Sequence, residues 1–133
     1  MIAVFDTNVL IAAIITQGIC SKLLHRAHTR EFSLASCPFI MKEVRHTLSK
    51  KFRLSHEEIT SAIEPVSEAI DQIVEHNLRI APICRDADDD NVLACALAAE
   101  ADYLVTGDSD LLEIRTWKGI KIVAPRDFEA LFV

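Results

Sequence analysis

Ile2-Ala3-Val4-Phe5-Asp6-Thr7-Asn8-Val9-Leu10 runs through four apolar residues straight into an acid. An unbroken apolar run with β-branched members is the pattern of a strand covered on both faces, as in a parallel sheet. Two helical patterns follow it. Val9 to Ile15 and then Ser21 to Glu31, with Leu23, Leu24 and Ala27 at helical spacing, read as a helical hairpin or a broken helix. Phe32 to Cys37 is the second strand.

Beyond it, Pro38 suits the first turn of a helix, and Ile40, Val44, Leu48 and Phe52 recur every four residues, an apolar stripe with a basic opposite face. Ser55-His56-Glu57-Glu58 has the form of a capping box that opens a further helix, continued by Ile59, Ala62, Ile63, Val66, Ile70, Ile73 and Val74. Pro65 inside that pattern is expected to kink or split it. Leu78 to Ile83 reads as a third strand, Asn91 to Ala101 as a helix, Tyr103 to Thr106 as a fourth strand and Ile120 to Val123 as a fifth after a Lys118-Gly119 turn. Arg126 to Phe132 forms a closing helix behind Pro125. Strand and helix alternate throughout, which predicts an α/β fold: a parallel sheet covered by helices on both faces, with the strand C-termini on one edge.

The composition agrees. In 133 residues, 50% are apolar, enough to exclude a disordered chain, and no repeat or linker divides them, so one domain over residues 1–133 is expected. The cysteines at 20, 37, 84 and 95 form no Cys-x-x-Cys pair and read as free thiols in a reducing cytoplasm. The longest uncharged stretch, Thr7 to Ser21, is fifteen residues, short of the ~20 a membrane span needs. The early acid and the lack of a basic n-region argue against a secretory signal. Fourteen basic against 20 acidic side chains leave a net charge of −6, so an interaction with nucleic acid needs a local cationic surface. The helix after strand two offers Lys42, Arg45, Lys50 and Lys51, with His46 and Arg53 beside them; Lys22, Arg26 and Arg30 form a second group, and a solvated helix face explains such runs equally well. Aromatic residues are too few for a stacking platform.

Open α/β sheets place their sites outside the carboxyl ends of the strands. The acids gather there: Asp6 closes strand one, Glu43 lies in the helix after strand two, Asp86, Asp88, Asp89 and Asp90 fill the loop after strand three, and Asp108 and Asp110 follow strand four. Carboxylates converging on one cleft repel one another and resist desolvation, which a divalent cation resolves. An all-oxygen set without zinc-type Cys/His spacing suits Mg2+ or Mn2+, ions that hydrolyse phosphodiesters through an activated water attacking phosphorus in line. Singly, Asp90 and Asp108 also read as helix N-caps worth about 1 kcal/mol, and Glu43 as a solvated residue at the margin of its helix stripe. Only the joint pattern points to chemistry.

That pattern resembles the PIN domain, whose metal-dependent ribonucleases include the VapC-like toxins. Val4-Phe5-Asp6-Thr7-Asn8-Val9-Leu10 resembles the family's opening strand and first acid, and Ile40-Met41-Lys42-Glu43-Val44 its helical second acid. Asp89-Asp90-Asn91-Val92-Leu93-Ala94-Cys95-Ala96 is similar to the motif carrying the third acid at a helix start. Asp102 to Leu112, with Thr106-Gly107-Asp108-Ser109-Asp110, is similar to the one carrying the fourth. The resemblance implies a three-layer α/β/α sandwich around a mostly parallel five-stranded sheet. It also implies a metal set of Asp6, Glu43, Asp90 and Asp108, with Thr7, Asn8, Thr106 and Asp110 as supporting neighbours. Asp90 is preferred as third acid because it directly precedes a helical Asn and an apolar stripe; Asp86 is the alternative. RNA as substrate, a homodimer, and in the toxin branch a partner antitoxin are implied in the same way.

Two rival readings are weaker and one remains open. The Asp86 to Asn91 loop mimics half of an EF-hand, but Asn91 stands where glycine is needed and Leu97 where glutamate is. A haloacid-dehalogenase-like phosphatase needs a second acid two residues after the first, and Asn8 stands there. The open alternative is a PIN-like module that binds RNA or protein without cutting.

Overall fold

The computed structural model describes residues 1–75 and 82–133. In chain order the elements are β1 (Ile2–Phe5), α1 (Thr7–Ile15), α2 (Ile19–His28), β2 (Ser33–Ser36), α3 (Pro38–Lys50), α4 (His56–Ala69) and β3 (Ile70–Ile73). Then come α5 (Ala87–Ala98), β4 (Tyr103–Val105), α6 (Ser109–Ile114), β5 (Thr116–Trp117), β6 (Ile120–Val123), α7 (Pro125–Glu129) and a closing 3-10 turn, Ala130–Phe132.

The sheet order is β3-β2-β1-β4-β6-β5, with every pair parallel except β5 with β6. β1 sits centrally because Ala3, Val4 and Phe5 are apolar to both faces and fully covered. The chain builds leftward from β1 to β2 and β3, then crosses to β4 and builds the other way, so the order reverses between β1 and β4. That reversal opens a crevice at their C-terminal ends. On one side α1, α2, α3, α4 and α7 pack among themselves, while α5 packs on β1, β2 and β4 and α6 on β6. The core includes an aromatic knot in which Phe128 meets Phe5 and Phe32 edge-on, at centroid distances of 6.0 and 5.0 Å.

Local signals explain most boundaries. Ser55 and Glu58 form the reciprocal capping box, with Ser55 Oγ accepting from the Glu58 N–H at 3.2 Å and Glu58 Oε1 accepting from the Ser55 N–H at 2.9 Å. The α1–α2 break bends by 97°, and no single helix among the described residues is long and apolar enough to cross a membrane. Phe52 lies beyond the end of α3 and is 40% exposed, so the apolar stripe ends with Leu48.

Three expectations are corrected, and one falls mostly outside the described residues. Pro65 does not split α4, which continues to Ala69 because Ile63, Val66 and Ala69 stay buried across it. Ile70 and Ile73, read as helix by their spacing, form β3 beside β2; pairing with Leu34, Ala35 and Ser36 overrides a local period that fits a helix. Of the strand expected at Leu78 to Ile83, residues 78–81 lie outside the described residues, and Pro82 and Ile83 are not in a strand. Among the described residues the sheet has six strands rather than five: Lys118 and Gly119, at φ 49° and 82°, make a tight turn that folds Thr116–Trp117 back against β6.

Candidate active site

Asp6 leaves β1 as the N-cap of α1, in the crevice where the strand order reverses. It is 6% exposed and each oxygen has a partner: Oδ1 accepts from the Thr7 N–H at 2.6 Å and Oδ2 from the Thr106 hydroxyl at 2.7 Å. Thr106, wholly buried after β4, also accepts the Asp108 N–H at 3.0 Å, tying the first and last acids through one hydroxyl. Asp108 caps α6, its Oδ1 accepting from the Asp110 N–H at 2.8 Å. Glu43 reaches in from α3 and its Oε1 accepts from the Thr7 hydroxyl at 2.8 Å.

These groups line one cleft of about 180 Å3, together with Asn8, Thr47, Asp86, Asp88, Asp89 and Val92. Asp86 is the N-cap of α5, which starts at Ala87, four residues before the expected start, so the supposed EF-hand loop is helical. The earlier start changes which carboxylate faces inward. Asp89 is 9% exposed and lies in register with buried Val92, Leu93 and Ala96. Asp90, the preferred third acid on sequence, is not among the lining residues. Its Oδ1 instead accepts the N–H groups of Cys84 and Ile83 at 3.0 and 3.2 Å, fastening the chain that enters α5.

Asp110 takes a second place at the rim. Its Oδ1 accepts from Arg85 at 2.8 Å, yet a carboxylate oxygen from each of Asp89, Asp108 and Asp110 lies within 4.8 Å of the others. The expected cationic residues scatter along α3. Lys42 borders the cleft's neighbouring groove, Arg45 faces a separate cavity beside β3, and Lys50 and Lys51 stand at the far end of the helix, all exposed.

The electrostatics follow from crowding. Burial, then the charges of Asp108, Asp6 and Asp86, push Asp89 up to about 7. Burial also raises Asp6, against the pull of its bonds from Thr106 and Thr7. Glu43 is raised by burial, with Asp88 and Asp6 adding to it and the Thr7 hydroxyl opposing. Three helix N-termini, of α1, α5 and α6, point their partial positive charge at the cleft and offset part of the repulsion. Among the described residues, no Lys, Arg, His or Cys lines the cleft. A pocket of mutually repelling carboxylate oxygens without a cation of its own fits a hard divalent ion and does not fit zinc.

Four lining residues, Thr47, Asp88, Asp89 and Val92, stand outside the site predicted from sequence. Asp89 could have been found by treating Asp86 as the N-cap and extending the apolar stripe of Val92, Leu93 and Ala96 back by three. Thr47, one turn beyond Glu43, carries no signal of its own.

A doubly wound α/β sheet with an acid cluster at its switch point is the class that fold and site define. Residues 3–110 match the PIN domain, and the chain belongs to that family. Among solved structures it is similar to VapBC2 from Rickettsia felis bound to a DNA fragment from its promoter. The TM-score is 0.65 at 17% identity, over 93% of this chain and 98% of that one, a likeness of fold alone. No curated protein matches it. Family membership displaces the phosphatase reading, and Asn8 lines the cleft where that reading needs an acid.

Proposed function

We propose that this chain is a Mg2+- or Mn2+-dependent endoribonuclease that cleaves single-stranded or structured RNA phosphodiesters. The observation carrying the reading is the meeting of Asp6, Glu43, Asp89 and Asp108 in one cleft at the β1/β4 reversal, with no cation lining it among the described residues. Those four carboxylates would hold the metal together with Asp110, which has a carboxylate oxygen within 4.8 Å of those of Asp89 and Asp108. A divalent ion bound there would supply a bound water more acidic than bulk water and a positive charge against phosphate oxygens.

The protein's share is placement. Thr7 clamps two acids at once, its N–H on Asp6 and its hydroxyl on Glu43, so the end of β1 and the side of α3 keep a set separation. Thr106 aims Asp6 and, by accepting the Asp108 N–H, orders the turn from β4 into α6. The hydroxyls of Thr7 and Thr106 are spent on the acids, and the nucleophile assigned is water. Lys42, and more remotely Arg45, Lys50 and Lys51, hold the RNA backbone.

The likeness to VapBC2 supports a further step, a toxin of a toxin–antitoxin pair held in check by a cognate antitoxin protein; a homodimer acting in the cytoplasm is carried over from the sequence reading alone. The single domain spans residues 1–133. The test is cleavage of a single-stranded RNA with Mg2+ or Mn2+ by the parent, Asp6→Asn, Asp89→Asn and Asp90→Asn proteins. Removing either inward acid is expected to cost about 100-fold or more. Asp90→Asn keeps its carbonyl-type acceptor for Cys84 and Ile83 and is expected to stay active. Equal activity of Asp6→Asn and parent sinks the nuclease, and an inactive Asp90→Asn beside an active Asp89→Asn sinks the choice of third acid.

A further inference from the structure

The helix that delivers Glu43 carries two different stripes. Ile40, Val44 and Leu48 form the core stripe and are fully buried. Phe39, Lys42, Glu43, His46 and Thr47 stand at i, i+3, i+4, i+7 and i+8, a second stripe, and line a mainly apolar groove of about 340 Å3. Glu43 and Thr47 belong to this groove and to the acid cleft alike, so the two adjoin.

The make-up of the groove selects its occupant. Phe39 is half-buried, packed against the core on one side and open to the groove on the other. Lys42 and His46 are exposed, and among the described residues neither makes an ion pair, although Lys42 neighbours Glu43. They are also the basic side chains that line either cavity. On a chain of net charge −6, a phosphate reaching an all-acid cleft needs a cation beside it, and an apolar wall with one aromatic ring suits a base. The volume lies at the lower end of the range for small-ligand sites, roughly 300–1,000 Å3.

We propose that this groove is a nucleotide subsite for single-stranded RNA. A base flanking the scissile phosphate stacks on Phe39, His46 borders it one turn further along, and Lys42 takes the adjoining phosphate. A base inside a duplex is already stacked on its neighbours, so the subsite admits unpaired nucleotides. The inference rests on the nuclease reading for the position of the scissile bond, while the groove's recognition of a base stands or falls separately.

The experiment has a binding arm and a cleavage arm. Affinity for a labelled single-stranded RNA is measured in the cleavage-deficient Asp6→Asn background with Mg2+, alone and combined with Phe39→Ala, Phe39→Trp or Lys42→Ala. Loss of one stacked base predicts about 5- to 160-fold weaker binding for Phe39→Ala, restored by Phe39→Trp. Lys42→Ala weakens binding and lowers the slope of log affinity against log salt by about 0.7, one phosphate contact. In the cleavage arm, parent and Phe39→Ala proteins are given RNAs bearing one abasic nucleotide at successive positions about the cut. One abasic position is expected to slow the parent and leave Phe39→Ala unaffected. Circular dichroism and Mn2+ titration of Phe39→Ala confirm fold and metal site.

Parent-like binding by Phe39→Ala, with no abasic position that distinguishes it from parent, overturns the subsite even where cleavage is normal. That is the result expected if the groove takes a protein segment instead. Conversely, ring-dependent RNA binding without cleavage by any variant supports the subsite and overturns the nuclease.

Discussion

Asp89→Asn should make the metal-free protein more stable. Asp89 is 9% exposed, and burial plus the charges of Asp108, Asp6 and Asp86 raise its carboxyl from the ordinary 3.8 to about 7. In full, that displacement is worth roughly 4 kcal/mol of preference for the protonated form. Solvent at the mouth of the cleft screens it, so about 1–2 kcal/mol is expected to reach the folding equilibrium. Between pH 4 and 7 the folded chain holds a proton that the unfolded chain has released, so stability is fully present below 3.8 and is lost as pH rises through about 7. Asparagine keeps the shape of the protonated acid without the charge. The assay is a thermal melt in chelator at pH 5.5, 6.5 and 7.5. The parent melts lower as pH rises, and Asp89→Asn flattens that slope and melts roughly 3–10 °C higher at pH 7.5. Adding Mg2+ or Mn2+ raises the parent and moves the variant much less. A natively folded Asp89→Asn that melts at or below the parent at pH 7.5 refutes the crowding on which the metal site rests.

Two further outcomes concern the scaffold. Glu129 receives both Arg26 Nε at 2.7 Å and Nη2 at 2.8 Å, with Lys22 at 3.3 Å, and these bonds hold its carboxyl below the ordinary range. Its stabilisation is therefore present above the unfolded value of 4.5 and is lost as pH falls through the lower folded value, so Glu129→Gln should lower the urea midpoint at pH 7 more than at pH 3.5. An equal loss at both pH values refutes that. Ser55→Ala removes the acceptor for the Glu58 N–H and should cost about 1 kcal/mol of unfolding free energy in urea, with RNA cleavage unchanged because Ser55 lies outside the cleft.

Alternation of apolar strand and amphipathic helix was legible in the chain because those periods are local: Ala3-Val4-Phe5 is apolar to both sides, and Ile40, Val44 and Leu48 fall on one helix face. The same holds for Asp6, Glu43 and Asp108, which stand where strand ends and crossovers deliver them. β5 was not legible, since two residues carry no period and only a hairpin turn onto β6 makes them a strand. Neither was β3, because Ile70 and Ile73 suit a helix until β2 offers its edge.

Sequence alone thus determined the α/β architecture and the gathering of acids at one edge of a sheet, both consequences of hydrophobic periodicity and right-handed crossovers. Tertiary structure decided which carboxylate turns inward. Asp86 captures the Asp88 N–H at 2.9 Å and starts α5 early, and packing of Val92, Leu93 and Ala96 against the sheet then sets the helix's rotation, pointing Asp89 into the cleft and leaving Asp90 to bind backbone. Neighbours in sequence are about 100° apart on a helix, so the choice between adjacent acids belongs to helix phase, and only long-range packing sets that phase.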